Sequence, residues 1–255
     1  QVRWQDKIGE IHYNVGVNLT FTQNKLRKSD ELDNIEDYRK SVGRSTSTIF
    51  GLQAEGLFGK DVQLAGHPLQ SYGAYQVGDI AYADLNGDNM INDNDVTDLG
   101  QSFPTTTMGI DLSLNYKGFG LYILGTATTG VTNILSSSYY WNNGYSILAL
   151  DRYHPVNNPT GTQPRLTTTS GANNYRTSSF WSENGAFFRL KNVELSYTLA
   201  NKTGKFIGKD FKFFVRGTDL FVLSGIKDLD PERMLSGLTN YPTYRTITGG
   251  ISINF

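Results

Sequence analysis

The stretch DLNGDNMINDND, residues 84–95, sets hard oxygen donors at the spacing of a divalent-cation loop. In a loop of the EF-hand kind, the first, third and fifth positions give side-chain oxygens. The seventh gives a backbone carbonyl, the ninth a side chain or a water, and the twelfth a carboxylate. Here those positions are Asp84, Asn86, Asp88, Met90, Asn92 and Asp95, with Ile91 in the apolar eighth place. The chemistry is structural Ca2+ binding, because no His or Glu is arranged as a base beside a metal-bound water. Two positions depart from the pattern. Asn89 stands where Gly usually makes the sharp turn, although Asn tolerates the left-handed conformation better than most residues. Asp95 is shorter than the usual bidentate Glu. The bland alternative is a polar loop closed by Asx turns, with no ion. In the ion reading Asp93 and Asn94 face solvent. The ion then orders a long connection, residues 27–105, that has no core beneath it.

Nothing else in the chain reads as reaction chemistry. Cysteine is absent, which removes disulfides, thiolate metal sites and a thiol nucleophile. His12, His67 and His154 are far apart and form no ligand pair. There is no Ser/His/Asp grouping, no phosphate-binding Gly loop and no paired carboxylates for glycoside hydrolysis. The expectation is a protein that is not an enzyme. A net charge of −1 gives no basic excess, so nucleic acid is not an expected partner.

The elements that must position the loop are strands. Over residues 11–26, Tyr13, Val15, Val17, Leu19 and Phe21 alternate with polar or small residues. The same period recurs at Met108, Ile110, Leu112, Leu114 and Tyr116, then at Phe119, Leu121 and Ile123. It continues at Val193, Leu195, Tyr197 and Leu199, at Phe211, Phe213 and Val215, and at Ile247, Ile251, Ile253 and Phe255. That makes six long strands, preceded by the tail of another at Val2–Trp4. Asp219 falls on the apolar parity of its strand, which predicts a bulge near Gly217. Arg189 and Lys191 share the parity of Val193 and are expected above any lipid.

Connections come in two classes. DKIGE, Lys117–Gly118 and ANKTGKFIGK are short; residues 27–105, 131–185 and 225–242 are long. Short turns at one end and long loops at the other mark a transmembrane β-barrel, with the long loops outside. Tyr13, Tyr116, Phe119, Tyr197, Phe211 and Phe255 gather at the short-turn ends as an interfacial girdle. A soluble β-sandwich would alternate too, but with shorter strands and one class of turn. Six strands are too few to close a barrel, since the smallest single-chain ones have ~8. The chain therefore reads as a fragment or as one of several assembling copies.

The ending Thr248, Gly250, Ile253, Phe255 resembles the signal by which bacterial outer-membrane proteins are inserted. An unpaired last strand is suited to pairing with insertion machinery. In the loop 131–185, Tyr139, Tyr140 and Trp141 stand among Ser and Asn and are candidates for substrate or lid contact; the plainer reading is local packing. Trp181 reads as a packing residue.

These residues together carry a resemblance. GDIAYADLNGDNMINDND, LGQSFP and GIDLSLNYKGFGL resemble the SusC/RagA family of TonB-dependent outer-membrane transporters of Bacteroidota. SSFWSENGAFFRLKNVELSYTL, GTDLFVLSG and YPTYRTITGGISINF resemble later segments of the same family, in the same order. The resemblance implies an all-β fold: an antiparallel transmembrane β-barrel of about 22 strands, filled by a plug. Residues 1–255 would be its C-terminal portion, with plug and N-terminal strands absent. It further implies the outer membrane of a Gram-negative bacterium, import of glycans or peptides, and a SusD-like surface lipoprotein as lid. Energy would come from TonB, acting through a segment not in this sequence. Two other readings stay open: a siderophore-type importer or passive porin, and an extracellular Ca2+-binding adhesion protein. The last would need a second loop and flanking helices, and neither is present.

Overall fold

The computed structural model describes residues 1–32, 35–135, 147–166, 173–200, 210–227, 229–234 and 243–254. Seven strands form one antiparallel sheet: β1 Val2–Ile8, β2 Ile11–Phe21, β3 Thr106–Tyr116, β4 Phe119–Thr129, β5 Phe187–Ala200, β6 Asp210–Ser224 and β7 Thr246–Asn254. Each strand pairs with its neighbours in chain order, so the sheet is a meander, open at β1 and β7.

Two sequence expectations are corrected here. Val2–Trp4 is the opening of a full strand, whose pairing with β2 runs on to Ile8 opposite Ile11. β2 itself stops at Phe21 rather than continuing to residue 26. Beyond Phe21 the side chains turn polar, and Asn24 Oδ1 accepts from the Thr46 amide at 2.7 Å, which ties this segment to the following connection instead of to the ladder. The 11 residues of β2 still rise about 28 Å at a tilt near 40°, enough for an apolar band of ~25 Å.

The alternation produces two unlike faces. Leu195 (58% exposed), Val215 (56%) and Ile251 (63%) stand on one face, left open by the described residues. Asn14, Asp111, Ser113, Glu194 and Arg216 stand on the other, as the register requires. At the short-turn end, Tyr116 and Tyr197 both pair with Phe119, and the Phe119 and Tyr197 rings lie 4.7 Å apart. Phe21 on β2, Phe188 on β5 and Phe221 on β6 share the apolar face near the opposite end. The two aromatic rows are about eight residues apart along a strand, roughly 20 Å along the sheet normal to a membrane. The β3–β4 turn is Lys117 (φ 46°) and Gly118 (φ 90°), the left-handed pair of a tight hairpin. A Cβ on Gly118 would lie 2.8 Å from the Thr198 carbonyl.

The predicted bulge is present, two residues past Gly217. Asp219 adopts φ 50°, and it and Leu220 are extra residues between the pairs Asn192–Thr218 and Leu190–Phe221. Lys191 is unpaired on β5, and the register of β5 with β4 shifts at the same place. That shift corrects the parity assigned to Arg189. It pairs with Thr126 and Val222, on the face of Glu194 and not of Val193. One inserted residue is enough to move a side chain to the other face.

Residues 23–103 and 132–184 form a second compact unit. Its strands are short: Thr48–Leu52 with Val96–Gln101, Ala54–Leu57 with Ile80–Tyr82, Leu69–Gln70 parallel to Met90–Ile91, and Thr132–Ile134 with Ser182–Asn184. Leu52, Leu57, Tyr72, Ile80, Tyr82, Ile91, Tyr153 and Trp181 pack as its core. The long connections therefore carry a hydrophobic core of their own, contrary to expectation. Burying an Ile or Leu is worth about 1.5–3 kcal/mol, so packing contributes to the order of this unit. Trp181 packs as expected, and its Nε1 donates to the Asn174 carbonyl at 2.9 Å.

Candidate functional site

The loop at residues 84–95 is held from both ends by buried strands. Ile80–Tyr82 has no exposure and leads into it. Ile91, fully buried, anchors the eighth position and pairs with Gln70. Between these anchors the acidic and amide side chains fold back on the loop's own amides. Asp84 Oδ1 accepts from Gly87 N at 2.7 Å and Oδ2 from Asn89 N at 2.8 Å. Asn86 Oδ1 accepts from Asp88 N at 3.0 Å, and Asp88 Oδ1 from Met90 N at 2.8 Å. Asn89 takes φ 64°, the conformation that Gly usually supplies at the sixth position.

Asn92 caps a short 3-10 turn, Asp93–Asp95, and Asp95 completes the capping box. Asp95 is fully buried; its Oδ2 accepts from Asn92 N at 2.8 Å and its Oδ1 from Leu85 N at 2.8 Å. The twelfth position thus closes the loop through two amides. The donor set is hard oxygen throughout, which suits Ca2+. Among the described residues, no three His, Asp or Glu side chains gather as a metal cage, so Asn86, Asn92 and the Met90 carbonyl would have to complete any shell.

Asp93 and Asn94 are exposed, as expected, and each is also held by a side chain from elsewhere in the unit. Tyr72 Oη donates to Asp93 Oδ1 at 3.0 Å, while the Arg176 guanidinium lies 3.9 Å over the Tyr72 ring. Tyr38 Oη donates to the Asn94 carbonyl at 2.8 Å, and Arg39 Nη1 to Asn94 Oδ1 at 2.9 Å. Burial, and then the Asp93 carboxylate, push the Tyr72 phenol well up; burial and then Glu36 raise that of Tyr38. Both phenols remain donors at any ordinary pH.

Beside the loop lies a buried polar network that the sequence did not signal. Gln70 Nε2 donates to Asn173 Oδ1 at 2.6 Å, and Asn174 Oδ1 accepts from Ile80 N at 2.9 Å. Asp79, 1% exposed, meets Arg165 Nε at 2.9 Å and accepts from Asn174 Nδ2 at 2.7 Å. These partners come from segments about ninety residues apart, and no local spacing links them.

On the polar face of the sheet, Glu194 accepts from Lys212 Nζ at 2.7 Å and from Arg216 Nε at 2.8 Å. Arg3 lies 3.8 Å from Asp111. Near the Gly9–Glu10 turn, Gln5, Lys7, His12, Asn14, Ser113 and Asn115 line a groove on that face. Thr248, Gly250 and Ile253 lie in β7, opposite Arg216, Phe214 and Phe211. A Cβ on Gly250 would come within 2.5 Å of the Phe214 ring, so the ring would have to shift to admit one. Phe255, Tyr139, Tyr140 and Trp141 lie outside the described residues.

No protein-family profile matches the chain. It is 30% identical over 245 residues to TonB-dependent receptor P26 of Formosa agariphila, covering 89% of this chain and 24% of that protein. TonB-dependent receptor P3 of the same organism is 26% identical over 194 residues, covering 68% of this chain and 19% of its own length. The chain thus spans about a quarter or less of these relatives. In fold it matches the RagAB peptide importer in its open-open state, with a TM-score of 0.69 at 17% identity over 99% of this chain and 28% of that one. The closed-closed state gives 0.66 at 19% identity, over 98% and 28%.

Proposed function

The chain belongs to the TonB-dependent receptors of the SusC/RagA type, and from that premise we propose that it forms part of the wall of an outer-membrane nutrient importer. The observation that carries this is the sheet's division into an apolar face bounded by two aromatic rows and a polar, charged face. The apolar face meets lipid and the polar face lines the barrel interior. The cell is a Gram-negative bacterium of the Bacteroidota type. TonB energises import through parts of the protein outside this chain. A SusD-like lipoprotein covers the mouth, and the cargo is a glycan or a peptide. The role is transport, not catalysis. Peptide cargo is supported by likeness to the RagAB peptide importer, and the lipoprotein by the family resemblance of the sequence; fold likeness carries function only by analogy.

Within this reading, Asp84, Asn86, Asp88, Met90, Asn92 and Asp95 hold Ca2+ as a brace in an external unit that folds on its own core. Thr248, Gly250, Ile253 and Phe255 act in membrane insertion. Tyr139, Tyr140 and Trp141 contact cargo or lid. The test is to fractionate the source cell, purify the full-length protein in detergent, and compare uptake with and without TonB. Recovery in the outer membrane with a lipoprotein, and TonB-dependent uptake of oligopeptides or oligosaccharides, is the expected result. Recovery in the water-soluble fraction, or uptake indifferent to TonB, removes the importer reading. For the ion, ~1 mM Ca2+ is expected to slow hydrogen exchange across residues 84–95 and a chelator to restore it. Identical exchange in both leaves the Asx-turn loop without an ion.

A further inference from the structure

The bulge that turns Arg189 to the polar face also gathers five ionised side chains. Arg189 pairs with Asp230 through Nη2, and its Nε lies 3.0 Å from Glu232 Oε2. Its Nη1 is 3.8 Å from Asp219. Lys191 Nζ lies 3.1 Å from Asp219 and 2.9 Å from Glu232. The Arg189 side chain is only 4% exposed, and a buried guanidinium persists only where carboxylates compensate it.

Asp230 and Glu232 belong to a short turn after β6. Arg233 N and Met234 N donate to the Asp230 carbonyl, at 3.1 and 3.2 Å, and Glu232 N donates to Asp230 Oδ1 at 3.0 Å. Pro231, between the two acids, is buried. Because Arg189 stands on the polar face, the turn it holds lies over that face.

We propose that residues 229–234 are an ion-latched strap across the polar face, anchored by Arg189 and Lys191, and that the strap narrows the path along it. The narrowing rests on the reading above, in which that face lines a solute path. Two features make the closed strap releasable. Three carboxylates meet two cations, so one negative charge in the cluster is uncompensated. The Lys191–Glu232 pair is the more exposed, at 27% and 38%, so salt reaches it first.

The experiment uses the full-length protein in detergent and reads hydrogen exchange at the Glu232, Arg233 and Met234 amides. The closed strap is expected to exchange at least about tenfold more slowly in wild type than in Arg189→Gln or in Asp230→Asn/Glu232→Gln. Raising NaCl from ~0.05 M to ~1 M is expected to speed wild type and leave the variants unchanged. Exchange in β5 is expected to stay constant. Should Arg189→Gln fail to fold, Lys191→Gln with Glu232→Gln reads the same latch from its exposed side. Equal exchange in wild type and variants overturns the strap. The narrowing is read separately, from labelling of Asn115→Cys by an impermeant maleimide added outside cells. Faster labelling in the latch variants is expected; an unchanged rate overturns the narrowing. Ready labelling of Leu195→Cys by the same reagent puts the apolar face in water, which overturns the importer reading and leaves the exchange result standing.

Discussion

Asp79 and Asp95 are both acids shut away from solvent, and they are compensated differently. Asp79 has a cation, Arg165, besides the Asn174 side-chain amide and the Gln76 backbone amide. Asp95 has two backbone amides. Arg165→Ala strands a buried carboxylate, with an expected loss of roughly 3–5 kcal/mol from the unit built on Leu52, Ile80 and Trp181. Asp95→Ala leaves the Leu85 and Asn92 amides unpaired, an expected loss of roughly 1–3 kcal/mol. Denaturant-dependent hydrogen exchange at Ile80–Tyr82 and Ile91 reads both. Arg165→Ala should show the larger effect, and equal or negligible effects contradict these assignments. At this scale the loop was legible from the sequence because its side chains bond within twelve positions of one another, through contacts such as Asp84 with Asn89. The partners of Asp93 and Asn94 were not legible, because Tyr38, Arg39 and Tyr72 reach them across distant chain.

At the scale of elements, the period-two pattern foretold the strands and their two faces. It also located the bulge, because Asp219 on an apolar parity has no other resolution than an added residue. It misplaced Arg189, since counting by two fails on the far side of an insertion. The face assignment makes a direct prediction. Leu195→Arg on the apolar face is expected to cost about 2–4 kcal/mol of stability in a bilayer, while Ser113→Arg on the polar face costs much less. The heat-modified electrophoretic shift of the folded protein, titrated with urea in liposomes, compares the two. Equal costs would mean the faces do not meet different media. The core of the second unit escaped the sequence reading for a physical reason. Its strands are two to six residues long, too short to show a period, and Leu52 meets Trp181 only through tertiary packing.

At the scale of the whole molecule, the sheet leaves two open edges, β1 and β7, and a row of apolar side chains that water does not favour. Closing the edges and covering that face are one requirement, and a membrane barrel meets both. The measurement that tests this most directly is a cryo-EM structure of the intact protein taken from native outer membrane. The account predicts β1 to β7 as contiguous strands of one closed barrel, with both edges paired, Leu195, Val215 and Ile251 facing lipid or detergent, and Glu194 and Arg216 facing inward. A water-soluble particle, or a barrel with Glu194 and Arg216 on the outside, would contradict it.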